Sequence, residues 1–279
     1  MNLLNHRYGK ARVRLMKVSR QGAQHSLKEL TVSVLLEGDF GASYTGSDNR
    51  LVVPTDTIKN TVNLLAHQKL GQENEEFGAL LGRHFLDTYP QVRRVEIELS
   101  ERVWDRLICA GKPHAHSFQG GTTARQLATV ACTREGSVVE SGVAGLLILK
   151  TTDSGFEGYL KDKFTTLRET NDRILATNLQ AKWTYSGRPR DYVAANAAAL
   201  SAMLDAFAGT YSPSIQRTLF QMGEAALKAV PEIAKVSLSL PNQHCLLVDL
   251  SPLGVENKNV LFVPTDEPHG LIEGTVSRG

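Results

Sequence analysis

Two residues in the first half of the chain are of types that can move a proton between them. Lys10 follows a glycine at the start of an alternating segment, and Thr55 stands at the start of a segment with helical spacing. A lysine confined beside a hydroxyl can accept or pass a proton, because burial disfavours its ammonium form. Each residue also has a simpler interpretation. Lys10 could be a solvated lysine at a strand end, and Thr55 could cap the helix or lie in the turn before it. The side chain of the neighbouring Asp56 could cap the same turn. The two interpretations of Thr55 are compatible, since a helix start also presents free backbone N–H groups to an anion.

Asn242 and His244 form a second candidate pair near the end of another alternating segment. They are two residues apart, so strand alternation places both side chains on one side. Histidine is a common acceptor of a relayed proton. A lone histidine is more often structural, and the pattern by itself leaves both interpretations open.

Three further residues have the chemistry to bind a flat, polar ring. Phe156 offers a π-face, Arg173 a planar fork of donors, and Gln216 a donor and an acceptor for an adjacent C=O and N–H edge. Without other information, Phe156 would be a core aromatic residue and Arg173 an ion-pair residue on a helix face. Gln216 would be a solvated residue in the first turn of a helix.

The elements that must position these residues repeat within the chain. Residues 81–99 and 222–240 match at a constant offset of 141, which pairs Gly82 with Gly223 and Pro90 with Pro231. Each segment predicts a helix end, a proline-marked turn and an alternating strand. Residues 55–61 and 212–218 also resemble each other in their hydroxylic start and in the positions of isoleucine and threonine.

This duplication predicts two similar α+β units, residues 1–140 and 141–279, each running strand, strand, helix, strand. In the first unit we expect strands over 12–18 and 30–36 and a helix that Thr55 or Thr57 caps. In the second we expect strands over 143–150 and 178–185 and an alanine-rich helix over 194–208. A further helix is expected to open at Ser212-Pro213-Ser214, with proline at an early helical position.

Composition excludes several classes of protein. The 279 residues are 42% hydrophobic and 22% charged, as in folded globular proteins, and 31 Lys and Arg balance 29 Asp and Glu. With no basic run longer than Arg93-Arg94, we expect no nucleic-acid partner. The longest uncharged apolar stretch, 143–149, is too short to span a membrane. The three cysteines form no C-x-x-C pair and are predicted to be reduced, mostly buried thiols.

Several motifs that would indicate a cofactor or a catalytic metal are absent from the sequence. It has no G-x-G-x-x-G after a strand, no Walker A loop, no H-E-x-x-H and no G-x-S-x-G. His114 and His116 could chelate a metal, but no third ligand stands nearby, so a polar strand or loop is the simpler interpretation. We therefore predict no metal site.

Seven spaced features, taken in order, resemble the urate oxidases, the cofactor-free members of the tunnelling-fold superfamily. They are Tyr8-Gly9-Lys10-Ala11-Arg12-Val13-Arg14, residues 53–62, Phe156, Asp172-Arg173-Ile174-Leu175-Ala176-Thr177, Ser214-Ile215-Gln216, Leu240-Pro241-Asn242-Gln243-His244 and residues 270–276. Each feature is weak alone, but their order over nearly the whole chain is specific.

The resemblance implies a fold and an assembly. The fold is α+β, with two tandem tunnelling-fold units whose antiparallel sheets carry helices on one face and close into a barrel on oligomerisation. The assembly is a homotetramer with a central tunnel and active sites at subunit interfaces. Lys10 and Thr55 would come from one subunit, and Phe156, Arg173, Gln216, Asn242 and His244 from its neighbour.

The resemblance also implies the reaction, in which urate, dioxygen and water give 5-hydroxyisourate and hydrogen peroxide during urate catabolism, without a metal or an organic cofactor. The implied catalytic relay consists of Lys10, Thr55 and His244. The implied substrate-binding residues are Thr55, Asp56, Phe156, Arg173, Ile215, Gln216 and Asn242, with Asp56 and Ile215 acting mainly through their backbone.

An alternative is a non-catalytic or differently specific protein of the same fold that binds purines or pterins. The zinc-dependent pterin enzymes need three spaced histidines that this chain lacks, and a non-catalytic relative would have lost a relay residue. Residues 186–191 and the segment after His114 match the urate oxidases poorly. The start of the chain has no secretory signal and its end has no Ser-Lys-Leu address, so we expect a cytoplasmic protein.

Overall fold

The computed structural model describes residues 1–278, in which pairs of long antiparallel strands alternate with groups of helices. In chain order the elements are β1 (Tyr8–Gln21), β2 (Gln24–Gly38), α1 (Gly41–Thr45), α2 (Thr55–Lys69), α3 (Asn74–Thr88), β3 (Val92–Cys109), β4 (Lys112–Cys132), β5 (Ser137–Lys150), β6 (Leu175–Tyr185), α4 (Tyr192–Gly209), α5 (Ile215–Ala229), β7 (Ile233–Leu247), a 3-10 turn (Ser251–Leu253) and β8 (Phe262–Ser277). Neighbouring strands in the sheet follow chain order, from β1 to β8.

The chain divides into two compact units. Unit 1 comprises residues 1–143 with 188–193, and unit 2 comprises residues 144–187 with 194–279. In unit 1, helices α2 and α3 pack against strands β1, β3 and β4, and in unit 2 helix α5 packs against β7 and β8. The predicted α+β fold, with antiparallel sheets that carry helices, is confirmed.

The internal repeat is confirmed around its proline-marked turns. Helix α3 ends at Thr88 and β3 begins at Val92, while α5 ends at Ala229 and β7 begins at Ile233, at the same offset of 141. Proline stops each helix because it lacks the N–H that the next helical bond needs.

Two details of the predicted repeat are wrong. The offset aligns the whole of α5 with α3, so residues 212–218 do not correspond to residues 55–61 at the start of α2. A hydroxylic start is common to many helices and is a poor guide to register. Each repeat also contains two long helices and a fourth strand, rather than strand, strand, helix, strand, and the first repeat has the short α1 as well.

The cysteines are free, but not all are buried. Cys132 is buried and Cys245 is half-buried, whereas Cys109 is exposed. The prediction of mostly buried thiols is wrong for Cys109, which ends β3 at a tight hairpin where the preceding Ile108 is exposed as well. Among residues 1–278, no helix is long and apolar enough to span a membrane.

Candidate active site

Lys10 lies at a β-bulge in β1. It pairs with Val34 of β2, but the next paired residue, Val13, faces Val32, so β1 contains one extra residue. Within the bulge, Arg12 has a φ of 58°, a left-handed conformation that a non-glycine residue rarely adopts. Bulges redirect side chains and often lie beside active sites. Strict alternation along β1 therefore does not give the direction of Lys10.

Tyr8 joins the start of β1 to the segment that leads into α2. Its hydroxyl accepts a hydrogen bond from the Val53 N–H at 2.7 Å, and its ring packs edge-on against Phe40 at 4.8 Å. Burial raises the pKa of Tyr8, with the bond from Val53 opposing, so the hydroxyl stays protonated at neutral pH. This contact ties Lys10, two residues later, to the region of Thr55.

Helix α2 begins at Thr55, so Thr55 is its first residue and not its cap. Pro54 occupies the cap position and no side chain caps the helix, so the expectation that Thr55 or Thr57 caps it is wrong. The first backbone N–H groups of α2 therefore stay available to an anion. No residue within 1–278 hydrogen-bonds to the Thr55 hydroxyl, and Thr55 is exposed.

The pKa of Asp56 shows that Lys10 lies close to the start of α2. The exposed carboxylate of Asp56 accepts hydrogen bonds from Lys59 and, at 2.9 Å, from Asn60. The bond from Lys59 is the main reason that the pKa of Asp56 is lowered, and the positive charge of Lys10 contributes to the same shift. Lys10, Thr55 and Asp56 are thus assembled within unit 1.

In unit 2, three backbone segments bring Phe156 and Arg173 together. Phe156 and Thr170 exchange backbone hydrogen bonds of 2.7 and 3.3 Å, and the Arg173 N–H donates to the Ser154 carbonyl at 2.7 Å. Ser154 in turn forms a parallel bridge with Ser212, shortly before α5 begins. The segment around residue 154 therefore connects the ring of Phe156 and the guanidinium of Arg173 to the start of α5.

The guanidinium of Arg173 retains an unused, buried donor. Its central carbon lies 5.5 Å from the centre of the Phe156 ring, and its Nε is buried without a hydrogen-bond partner among residues 1–278. Burial lowers the pKa of Arg173, although an arginine stays charged in proteins. The interpretation of Arg173 as an ion-pair residue on a helix is wrong, since it precedes β6 in irregular backbone and no described carboxylate pairs with it. A buried N–H of this kind needs an acceptor, which a bound anion would supply.

Helix α5 presents its first amides beside these residues. It begins at Ile215, and the Ser214 side chain accepts a hydrogen bond from the Arg217 N–H at 3.2 Å. Pro213 precedes the cap, so the expectation of proline at an early helical position is wrong. The N–H groups of Ile215 and Gln216 have no partner within the helix, because the first helical bond runs from residue 218 to residue 214.

The direction of α5 places its start toward Asn242. A Cβ added to Gly223 would meet Val276 at 2.6 Å, and one added to Gly274 would meet Leu219 at 2.9 Å. Going from Gly223 to Leu219 moves about 6 Å along α5 toward its start, and the matching step on β8, from Val276 to Gly274, covers about the same distance. The start of α5 and the lower-numbered residues of β8 therefore lie in the same direction. Asn242 pairs with β8 four residues beyond Gly274 in the same direction. Asn242 thus lies beyond the first turn of α5.

Asn242 and His244 lie near the end of β7, whose pairing with β8 shifts register between them, so strand alternation does not give the direction of His244. Asn242 pairs with the buried Thr177 of β6 and therefore lies on the face of β7 that carries the core. Leu238 and Leu240 are buried on that face, and both Asn242 and His244 are half-buried. Phe156, Arg173, the start of α5, Asn242 and His244 all belong to unit 2.

Sequence reasoning missed two buried hydroxyls in this region. Ser154 and Thr177 are 0% and 1% exposed, and neither side-chain oxygen has a hydrogen-bond partner in the described part of the chain. The signal for Thr177 was present in the sequence, since it is a polar residue between Leu175 and Leu179 at the core positions of an alternating strand.

Two cavities in the described part of the chain do not include the predicted site residues. Their volumes are about 600 and 550 Å³, and both lie in unit 1. The rings of His114 and His116 lie 4.5 Å apart, and residues 1–278 contain no group of three or more His, Cys, Asp or Glu arranged to hold a metal ion.

Comparison with known proteins identifies the family. The family model described as Uricase matches residues 6–130 and 139–273. This chain belongs to the uricase family. The uricase of Dictyostelium discoideum is 43% identical over 279 residues, which cover 99% of this chain and 97% of that protein. The uricase of Arthrobacter globiformis is 41% identical over 273 residues, 98% of this chain and 89% of that protein.

A solved uricase structure confirms the fold. The crystal structure of uricase from Arthrobacter globiformis superposes with a TM-score of 0.95 at 40% identity, covering 100% of this chain and 95% of that one. The resemblance drawn from the spaced motifs is therefore confirmed, and the two strand-and-helix units of this chain have the uricase fold.

Proposed function

We propose that this chain oxidises urate with dioxygen and water to 5-hydroxyisourate and hydrogen peroxide, as a step in urate breakdown. The observation that carries this proposal is the uricase match over residues 6–130 and 139–273. The geometry of unit 2 supports it, because the buried Nε of Arg173 and the ring of Phe156 together suit a flat anion.

Binding follows from the groups that unit 2 presents. Urate is a planar monoanion at neutral pH, and its ring stacks on Phe156 while Arg173 donates to a carbonyl oxygen and the adjacent ring nitrogen. The backbone N–H of Ile215 and the side-chain amide of Gln216 complete the recognition of the ring edge. The free amides of α5 and the charge of Arg173 both stabilise added negative charge on the ring.

The protein's chemical task is to remove a second proton from urate. The monoanion reacts poorly with triplet dioxygen, whereas the dianion is electron-rich enough to transfer an electron to it directly. Urate loses two electrons in all and dioxygen gains two, leaving as hydrogen peroxide, while water supplies the new hydroxyl. The oxidant is dioxygen itself, so the proposal requires no flavin and no metal.

Lys10, Thr55 and His244 form the proposed relay for that proton. Thr55, activated by Lys10, takes the proton, and His244 carries it on. The Thr55 hydroxyl has no hydrogen-bond partner among residues 1–278, which leaves it available to substrate. Asp56 contributes its backbone at the start of α2, and Asn242 and Thr55 mark the position of dioxygen or water above the ring.

Two subunits are proposed to complete each site. One would supply Lys10, Thr55 and Asp56 from unit 1, and its neighbour would supply the residues of unit 2, in a homotetramer of two stacked barrels. Strands β1 and β8 are first and last in the strand order, and an unpaired edge tends to find a partner. Exposed apolar residues on the strands add surface to bury, among them Leu147, Leu246 and Val263, which are 50–60% exposed.

Exhaustive chelation tests the proposed chemistry. The purified protein should oxidise urate at the same rate before and after chelation and should show no flavin absorbance, because dioxygen accepts electrons from the substrate directly. The untreated protein is the control. A rate that falls on chelation and returns with added zinc, iron or copper would contradict the proposal.

Replacing Phe156 with alanine tests the stacking role. Stacking of a base on an aromatic ring contributes about 1–3 kcal/mol, so Phe156→Ala should raise KM for urate roughly tenfold to a hundredfold. The effect on kcat should be smaller, because the ring acts on the ground state and the transition state alike. Steady-state kinetics with Phe156→Tyr as the control measures both constants, and an unchanged KM would remove Phe156 from the site.

A further inference from the structure

Thr177 is a fully buried threonine without an evident structural purpose. It is 1% exposed on β6, and its Oγ1 has no hydrogen-bond partner within residues 1–278. An unpaired buried hydroxyl destabilises the folded protein, and valine would fill nearly the same space without that penalty. The hydroxyl therefore calls for an explanation other than packing.

The strand register identifies the neighbour that this hydroxyl meets. Thr177 is directly opposite Asn242 in the antiparallel pair of β6 and β7. Directly opposed residues project to the same face with Cβ atoms about 4.5–5.5 Å apart. The side chain of Asn242 is half-buried and makes no hydrogen bond to a described residue, so its amide is available to the buried hydroxyl of Thr177.

An asparagine amide can be held in two orientations that exchange its oxygen and nitrogen. A hydroxyl that donates to Oδ1 selects one of them and turns the Nδ2 donors to the opposite side. At a site that must hold a small polar molecule in one place, such a fixed donor matters more than its modest contribution to stability.

We infer that Thr177 is a positioning residue for Asn242. In the loaded site its Oγ1 donates to Asn242 Oδ1, and the amide nitrogen then faces the position of dioxygen or water above the ring. This inference rests on the proposed function, and it assigns Thr177 no contact with urate. Substitution should therefore affect turnover and the response to dioxygen while leaving urate binding nearly unchanged.

The test is a set of substitutions at position 177 in the full-length protein, once the unaltered protein has been shown to oxidise urate. Thr177→Val should lower kcat roughly tenfold to a hundredfold, with KM for urate within about twofold. The rate should also increase less steeply with dioxygen concentration than it does in the unaltered protein. Thr177→Ser, which restores the hydroxyl, should recover most of the rate. Thr275→Val is the matched control, because that threonine lies on β8 and bonds to Ser237 at 2.8 Å.

Two comparisons keep the inference falsifiable if the valine variant folds poorly. Serine and alanine at position 177 differ by one hydroxyl, so Thr177→Ala should be slower than Thr177→Ser by the same tenfold or more. Adding Thr177→Val to Asn242→Ala should cost little further activity, because the two residues act as one unit. Equal rates for the serine and alanine variants, or fully additive losses, would overturn the inference. Absence of urate oxidation by the unaltered protein would contradict the proposed function instead.

Discussion

Lys10→Met and Thr55→Ala are each expected to lower the turnover of urate roughly 10²–10⁴-fold, the range that a positioned proton-transfer group contributes. The methionine keeps the length of the side chain but can neither hold nor pass a proton, and alanine removes the hydroxyl that takes it. Because the two residues are proposed to act as one relay, the double variant should lose little more than either single variant. Single-turnover and steady-state rates of the three variants measure this directly.

The control for this experiment is Lys235→Met, the same substitution at an exposed lysine near the start of β7, far along the strand from Asn242. It should leave turnover unchanged. Losses that multiply in the Lys10 and Thr55 double variant would mean two independent roles, and full activity in Lys10→Met would remove Lys10 from the relay.

The second large effect concerns the sharing of sites between subunits. Lys10→Met and Arg173→Ala should each be nearly inactive alone, because one removes a residue of the proposed relay and the other the proposed anion-binding fork. When the two variants are denatured together and refolded, half of the randomly formed pairs contain both chains. Each mixed pair has one doubly altered site and one intact site, so roughly a quarter of the unaltered activity should return.

Each variant refolded with itself provides the baseline for the mixing experiment, and two affinity tags show that mixed oligomers form. If mixed oligomers form and no activity returns, each site belongs to a single chain and the interface proposal fails. Restoration well above a quarter would also contradict it, since random pairing sets that limit.

The sequence predicts the parts of the fold that depend on local signals. The proline-marked turns at Pro90 and Pro231 and the strands that follow them are placed correctly because proline and two-residue alternation act over a few residues. The match between residues 55–61 and 212–218 fails because many helices begin with hydroxylic residues. Such a start therefore does not show which helices of the two repeats correspond.

The parts of the site that depend on distant contacts could not be predicted. The bulge beside Lys10 arises from how β1 pairs with β2, and the residue types around Arg12 do not predict it. The placement of Arg173 depends on its backbone hydrogen bond to Ser154, and the lack of a partner for its Nε depends on how the side chain is buried. Residue types indicate which side chains can do the chemistry, whereas their pairing and burial follow from tertiary structure.

The measurement that tests the central claim most directly follows urate, dioxygen and peroxide together in one sealed reaction. The proposed function predicts that near-ultraviolet absorbance of urate falls as the protein is added, with one dioxygen consumed and one hydrogen peroxide released for each urate lost. Urate that stays unchanged, or urate lost without dioxygen uptake and peroxide release, would contradict the assignment of this chain as a urate oxidase.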